Sequence, residues 1–231
     1  MRYLAANSTG WFWHSLARET GRIGHLYSPG AQRGPWAWLP FAGDVGVYPL
    51  WDQKKNVVDM GAYEALIQRW KRFLFWCQAA PIKPMWVIVP DVPGNASATI
   101  EKWKQYAPAV TDFPRALAVQ DGMVPMDVEA LNPRPDVICV GGSDEWKWST
   151  WSTWAANFRR VHVLRCNAPT RLYEMEEAGI ESTDGTGMNR GDRKQTEGLE
   201  RWARSRAAPT TDPLWPHVCR QPRVKEQESL A

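Results

Sequence analysis

Short apolar runs recur along the chain, each closed by turn-forming or polar residues: Arg2 to Ala6, His25 to Pro29, Leu39 to Asp44, Trp86 to Asp91, Ala116 to Gly122, Val137 to Gly142, Val161 to Asn167 and Ile180 to Gly187. Runs of this length between Gly, Pro, Asn or Asp predict buried strands. Longer segments with helical spacing lie between several of them. Gly61 to Ala80 is the longest. Arg69, Lys71 and Arg72 break its apolar character, so it predicts an amphipathic helix and not a membrane span. Asn95 to Ala107 opens on an N-cap residue and carries Glu101 in its first turns. Ala168 to Gly179 has Pro169 near its start and a glycine at its end.

Strands alternating with helices predict an α/β architecture, and eight of them predict a compact (β/α)8 barrel. A doubly wound open sheet is the second choice. The connection between the second and third runs, "SPGAQRGPWAW", is rich in Gly and Pro, so an irregular link is expected there. Residues 1–209 are expected to form one domain, and the Pro-rich, charged residues 210–231 a loosely packed tail.

The residues that close the runs form a second pattern. The third run ends in Asp44, the fourth in Asp91, the fifth in Gln120 and Asp121. The sixth ends in Gly141 and Gly142, the seventh in Asn167 and the eighth in Asp184. Each alone fits a turn residue. In a barrel, however, the C-terminal strand ends share one face, and active sites are built there.

Composition narrows the setting. The 231 residues are 44% hydrophobic and 23% charged, enough for one sizeable core. No apolar h-region opens the chain, so no signal peptide is expected, and a cytoplasmic location with no membrane partner follows. None of Cys77, Cys139, Cys166 and Cys219 forms a C-x-x-C pair, which fits reduced thiols. Net charge is only +3, but Arg190, Arg193, Lys194, Arg201, Arg204 and Arg206 cluster in one stretch. That stretch fits either a phosphate-contacting stripe or a solvated helix face. Most of the fifteen tryptophans are expected in the core. Trp146, Trp148, Trp151 and Trp154 form a candidate platform for stacked bases.

Carboxylates at separate strand ends are suited to glycosidic chemistry. One attacks a sugar carbon, and a second donates or accepts the leaving group's proton. Asp and Gln suit the edge of a base, and glycines let backbone approach a flat ring. A sugar hydrolase or a phosphate-binding barrel fits the same residues.

Five stretches together resemble the tRNA-guanine transglycosylases. "DVGVYP" is similar to that family's Asp-Ser-Gly-Gly-Phe-Gln loop, and "WVIVPD" to its next strand, which ends in a base-binding Asp. "LAVQDG" resembles the strand with the base-binding Gln and Gly, and "VGGSDEW" the Gly-Gly loop. "HVLRCNAPTRLYEMEEAGIESTDGTGMNR" resembles the nucleophile segment. The matches keep their order from about Leu39 to Arg190. The resemblance implies Asp184 as nucleophile on C1′ and Asp44 as general acid/base. It implies Tyr48 stacking on the base, with Asp91, Gln120, Gly141 and Gly142 around it. The glycines after Asp184 would make room for a sugar, and Arg190 would meet its phosphate. Arg193, Lys194, Arg201 and Arg204 would follow the backbone.

The chain also departs from that family. Where the family carries a C-x-C-x-x-C zinc site with a later His, only His217 and Cys219 occur, so no metal or cofactor is expected. Val45, Val47 and Pro49 replace Ser, Gly and Gln in the first loop, which implies a differently shaped pocket. The resemblance implies a compact relative acting on nucleic acid, DNA more than tRNA, in a phage or anti-phage defence setting. Excision of a modified base is the leading expectation, exchange for a 7-deazaguanine the second, and a non-catalytic binding module the third.

Overall fold

The computed structural model describes residues 1–6, 10–29, 38–80, 82–189 and 192–205. Eight parallel strands close into one barrel. They are β1 (Arg2–Ala6), β2 (Ile23–Tyr27), β3 (Phe41–Gly43), β4 (Val87–Ile88), β5 (Arg115–Val119), β6 (Val137–Val140), β7 (Val161–Val163) and β8 (Ser182–Asp184). Each pairs with its neighbours in sequence, and β1 closes the ring on β8, with Leu4 level with Asp184. Six strands fall inside the apolar runs; β2 begins two residues ahead of the run that starts at His25, and β5 one residue ahead of the run that starts at Ala116. The open doubly wound sheet is excluded, because an open sheet has two edges and this ring has none.

Among the described residues, seven helices surround the barrel: α1 (Trp11–Thr20), α2 (Met60–Ala79), α3 (Ala96–Tyr106), α4 (Pro125–Glu129), α5 (Asp144–Asn157), α6 (Pro169–Glu177) and α7 (Arg193–Ser205). In α2 the buried side chains are Tyr63, Ile67, Trp70, Leu74 and Cys77. That spacing lays one stripe on the barrel and turns Arg69, Lys71 and Arg72 outward. Asp59 caps this helix by accepting from the Ala62 amide at 3.1 Å, and Asn95 caps α3 through the Ala98 amide at 3.0 Å. No helix among the described residues is long and apolar enough to cross a membrane.

One expectation changes here. The four tryptophans after the Gly-Gly turn lie on α5. Trp154 is buried, and Trp146, Trp148 and Trp151 pack half-buried against the core. The Trp148 ring also carries the Arg171 guanidinium at 4.0 Å and the Lys147 ammonium at 4.7 Å. These rings are the inner face of an outer helix, so they are not an open platform for bases. Gly198 lies inside α7 without interrupting it. A Cβ there would lie 2.6 Å from Pro169 on α6, so the glycine lets the two helices touch. That close packing offsets its weak helix propensity, roughly 1 kcal/mol against Ala.

An antiparallel pair, Trp51–Asp52 with Val57–Val58, is inserted between β3 and α2. Trp51 Nε1 donates to Asn56 Oδ1 at 2.9 Å, and Asn56 Nδ2 donates to the Gly94 carbonyl at 3.3 Å. The hairpin is thereby tied to the loop after β4, on the face where the strands end. The tail 210–231 and residues 30–37 of the link between β2 and β3 lie outside the described residues.

Candidate active site

Strand polarity brings Asp44, Asp91, Gln120, Gly141, Gly142 and Asp184 to the C-terminal face of the barrel, each at or just beyond a different strand end or sharing one. Pro90 ends the pairing of β4 and releases Asp91. Asp184 is the last residue of β8 and is 5% exposed.

Asp184 is held through one oxygen. Its Oδ1 accepts from the Arg165 amide at 3.0 Å and pairs with His162 Nε2 at 3.1 Å. Its Oδ2 has no hydrogen-bond partner among the described residues. Asp44 Oδ1 accepts from the Val45 amide at 2.7 Å. Burial, followed by the nearby Asp184 charge, raises the Asp44 carboxyl to about 6. Asp91 Oδ2 accepts from Gln120 Nε2 at 2.8 Å, while Gln120 Oε1 accepts from the Gly94 amide at 3.0 Å. Burial, followed by the Asp44 charge, raises Asp91 to about 8. The three carboxylates therefore act on one another in a chain from Asp184 through Asp44 to Asp91. Two are displaced toward neutrality, as buried carboxylates that share a site are, whether the site is structural or serves proton transfer.

Asp91 yields a stability prediction. A carboxyl usually titrates near pH 4, so between about pH 4 and 8 the folded chain binds the proton that the unfolded chain has lost. Its contribution to stability is thus lost as pH rises across that window. Asp91→Asn keeps the shape and an acceptor for Gln120 but has no charge to bury. The variant is expected to be more stable than the parent at pH 8, by up to about 5 kcal/mol, and equal to it near pH 4. Thermal melting at the two pH values measures this; a variant no more stable at pH 8 than at pH 4, relative to the parent, would refute it.

The glycines after Asp184 have a different cause from the one expected. A Cβ on Gly185 would run into the Cys166 carbonyl oxygen, and one on Gly187 would crowd Asn167. The bare backbone lets the ends of β7 and β8 approach, and room for a sugar is not what requires it. Tyr3 on β1 ties the same place by donating its hydroxyl to the Gly185 carbonyl. Gly142 has φ +72°, a conformation that favours glycine, and a Cβ there would strike the Asp121 carboxylate. Asp121 is occupied with this turn, accepting from the Ser143 amide at 2.7 Å.

Arg165 was not anticipated. It adopts φ +59°, sparsely populated for a residue with a side chain, and it is 20% exposed. Its amide holds Asp184, its guanidinium donates to the Gly142 carbonyl and lies 4.1 Å from the Tyr48 ring, and its own carbonyl accepts from Lys147 Nζ at 3.3 Å. Lys147 is fully buried, pairs with Asp144 at 2.8 Å, and burial pulls its pKa down. Tyr48 is exposed at the mouth, with one face of its ring covered by Arg165. His162 was also missed, although alternation gave a signal. In Val161, His162, Val163 the polar residue occupies the middle of a buried strand, level with Ser182 two residues before Asp184.

The basic stripe is divided by the run of α7. The helix starts at the face where β8 ends and descends, so Arg193 and Lys194 stand near that face. Arg204 lies about 15 Å further along the axis from Lys194. Arg204 pairs with Glu200 at 3.0 Å and with Glu19, near the end of α1 at the opposite face. Arg201 is exposed on the same descending half. Arg193 is exposed and pairs with Glu197 at 2.7 Å. Arg190, Arg206, His217 and Cys219 lie outside the described residues, and no group of three metal-capable side chains gathers among the described ones.

No protein-family model and no curated protein matches this chain. Among solved structures it is similar to a chain of the tryptophan synthase complex from the hyperthermophile Pyrococcus furiosus, at 11% identity and a TM-score of 0.44, over 72% of this chain and 64% of that one. The chain thus spans less than two thirds of that neighbour's length, and the barrel assignment rests on the strand order itself.

Proposed function

We propose that this chain is an enzyme that cleaves the N-glycosidic bond of a modified base in DNA, with Asp184 as nucleophile and Asp44 as general acid/base. The observation that carries the reading is the coupling of three carboxylates from three strand ends, one of which has an oxygen that no described residue engages. Attack of Asp184 Oδ2 on C1′ forms a glycosyl ester and breaks the bond to the base. Asp44, protonated in part near neutral pH, gives its proton to the departing base nitrogen. Water then attacks the ester with Asp44 as the base, which regenerates Asp184 and leaves an abasic site. Asp91 and Gln120 hold the edge of the base. Asp91 raised to about 8 offers an O–H to an acceptor edge, and it gives up its proton to bind a donor edge.

The test incubates the chain with modified and unmodified duplexes, with and without free 7-deazaguanines. Abasic sites confined to modified duplexes are the expected result. Incorporated 7-deazaguanine in their place would establish exchange, and neither product would remove the glycosidic reading.

Salt dependence tests the route of the strand. Each released phosphate counterion contributes about −0.9 to the slope of log affinity against log salt on duplex DNA. Replacing Arg193 and Lys194 by Ala is expected to flatten that slope by up to ~1.8 for all sequences alike, because phosphate contacts position without specifying. Replacing Arg201 and Arg204 is expected to leave it unchanged, given their place down the helix. Equal effects from the two pairs would mean that DNA runs along the whole of α7.

A further inference from the structure

His162 is buried in the middle of β7, with both ring nitrogens engaged. Nδ1 lies 2.9 Å from Ser182 Oγ, and Nε2 lies 3.1 Å from Asp184 Oδ1. The ring packs against Trp86 with centroids 4.7 Å apart, so it cannot swing away without opening the core. Ser182 and Asp184 are two residues apart on β8, and their side chains share one face of the strand. His162, on the adjacent strand and in register with Ser182, bridges them.

We propose that His162 is the positioning residue of Asp184. It donates Nε2–H to Oδ1, with the Ser182 hydroxyl donating to Nδ1, and so holds the Asp184 carboxylate with Oδ2 directed at the substrate. The proposal rests on the glycosidic reading above and deepens it. The argument is one of proton bookkeeping. A neutral imidazole carries one N–H. If that proton is on Nε2, Asp184 accepts it and remains a carboxylate. If it is on Nδ1, it serves Ser182, and Nε2 needs a proton from Asp184 itself, which would then be a carboxylic acid and no nucleophile. Ser182 fits either arrangement, since a hydroxyl both donates and accepts. The Arg165 amide settles the geometry by donating to the same Oδ1. Two donors on one oxygen fix the carboxylate plane and leave the other oxygen as the attacking atom.

Two measurements test this. The first is the tautomer of His162, read from nitrogen–proton couplings in 15N-histidine-labelled protein and assigned by the signal missing in His162→Gln. A proton on Nε2, with Nδ1 bare, is expected. A proton on Nδ1 overturns the proposal, whatever the activity. The second is a pair of substitutions followed in single-turnover cleavage. Gln places an amide near the Nε2 position and keeps a donor for Asp184, whereas Leu fills the space against Trp86 and donates nothing. His162→Leu is expected to slow the chemical step by about 10²-fold, the order that misplaced reacting groups cost, with substrate Kd unchanged. His162→Gln is expected to recover most of that loss. If His162 only fills volume, Leu will equal or exceed Gln, and the proposal fails. A proton on Nε2 in a protein that cleaves no modified base would sink the glycosidic reading and leave the positioning of Asp184 standing. Cleavage with the proton on Nδ1 would do the reverse.

Discussion

Asp184→Asn is expected to lower single-turnover cleavage by about 10³-fold or more, while melting temperature and DNA affinity stay close to those of the parent. Asn fills the same volume, and its Oδ1 still accepts from the Arg165 amide and from His162 Nε2. The local hydrogen bonds therefore survive. What disappears is the negative charge and the free oxygen, and a carboxamide does not attack C1′. A second consequence follows from the electrostatics. The Asp184 charge is one cause of the raised Asp44 carboxyl, so neutralising it should bring Asp44 down toward the ordinary carboxylate range. An infrared carboxyl band or a pH-dependent chemical shift of Asp44 reads this without any substrate. Cleavage at the parental rate would end the nucleophile assignment. Loss of stability with no chemical defect would mean that Asp184 serves only the end of β8.

The barrel was legible because each strand is a short apolar run with an emphatic stop. Val137 to Val140 followed by two glycines, and Val87 to Val89 followed by Pro90, need no tertiary information. Helices with a strong apolar stripe and a capping residue, such as α2 and α3, were equally plain. Others, α1 and α5 among them, were not. In α1, Gly10 caps without a side-chain bond, so the ordinary start signal is missing. In α5, tryptophan, serine and threonine alternate with little amphipathic contrast, and the cap, Ser143, sits inside what read as a turn.

The site divides along the same line. Asp44, Asp91, Gln120, Gly142 and Asp184 could be found because they close strands, a position that sequence order reveals. Arg165 could not, because its role comes from a left-handed backbone that points its amide at Asp184 and its guanidinium at Gly142 and Tyr48. No residue type announces such a conformation in advance. The role of Gly185 was misjudged for a related reason. A small residue beside a candidate nucleophile looks like space for substrate, yet the space is taken by the Cys166 backbone. Only the packing of β7 against β8 distinguishes the two.

Asp44→Asn is expected to lower the rate by about 10²–10⁴-fold, the usual contribution of a general acid or base. The pH profile carries more information than the rate itself. In the parent, burial and the Asp184 charge outweigh the hydrogen bonds from the Val45 and Gly46 amides, and the carboxyl titrates at about 6. Departure of the base needs Asp44 protonated. The first step should therefore be fastest below pH 6 and decline as pH rises through that value. Return of water needs Asp44 ionised, so the second step should rise through the same value. Single-turnover base release isolates the first limb, and decay of the glycosyl ester isolates the second. Asp44→Asn should abolish both limbs, not merely lower them. Stability supplies an independent check with its own sign. A carboxyl raised in the folded chain favours folding at low pH, and that contribution is lost between about pH 4 and 6 as the unfolded chain ionises first. The Asn variant lacks this term, so its melting temperature should vary less across that window than the parent's. If both pH limbs persist in the variant, Asp44 is only a turn residue after β3, and the proton must come from Asp91, the other carboxyl displaced toward neutrality in the same space.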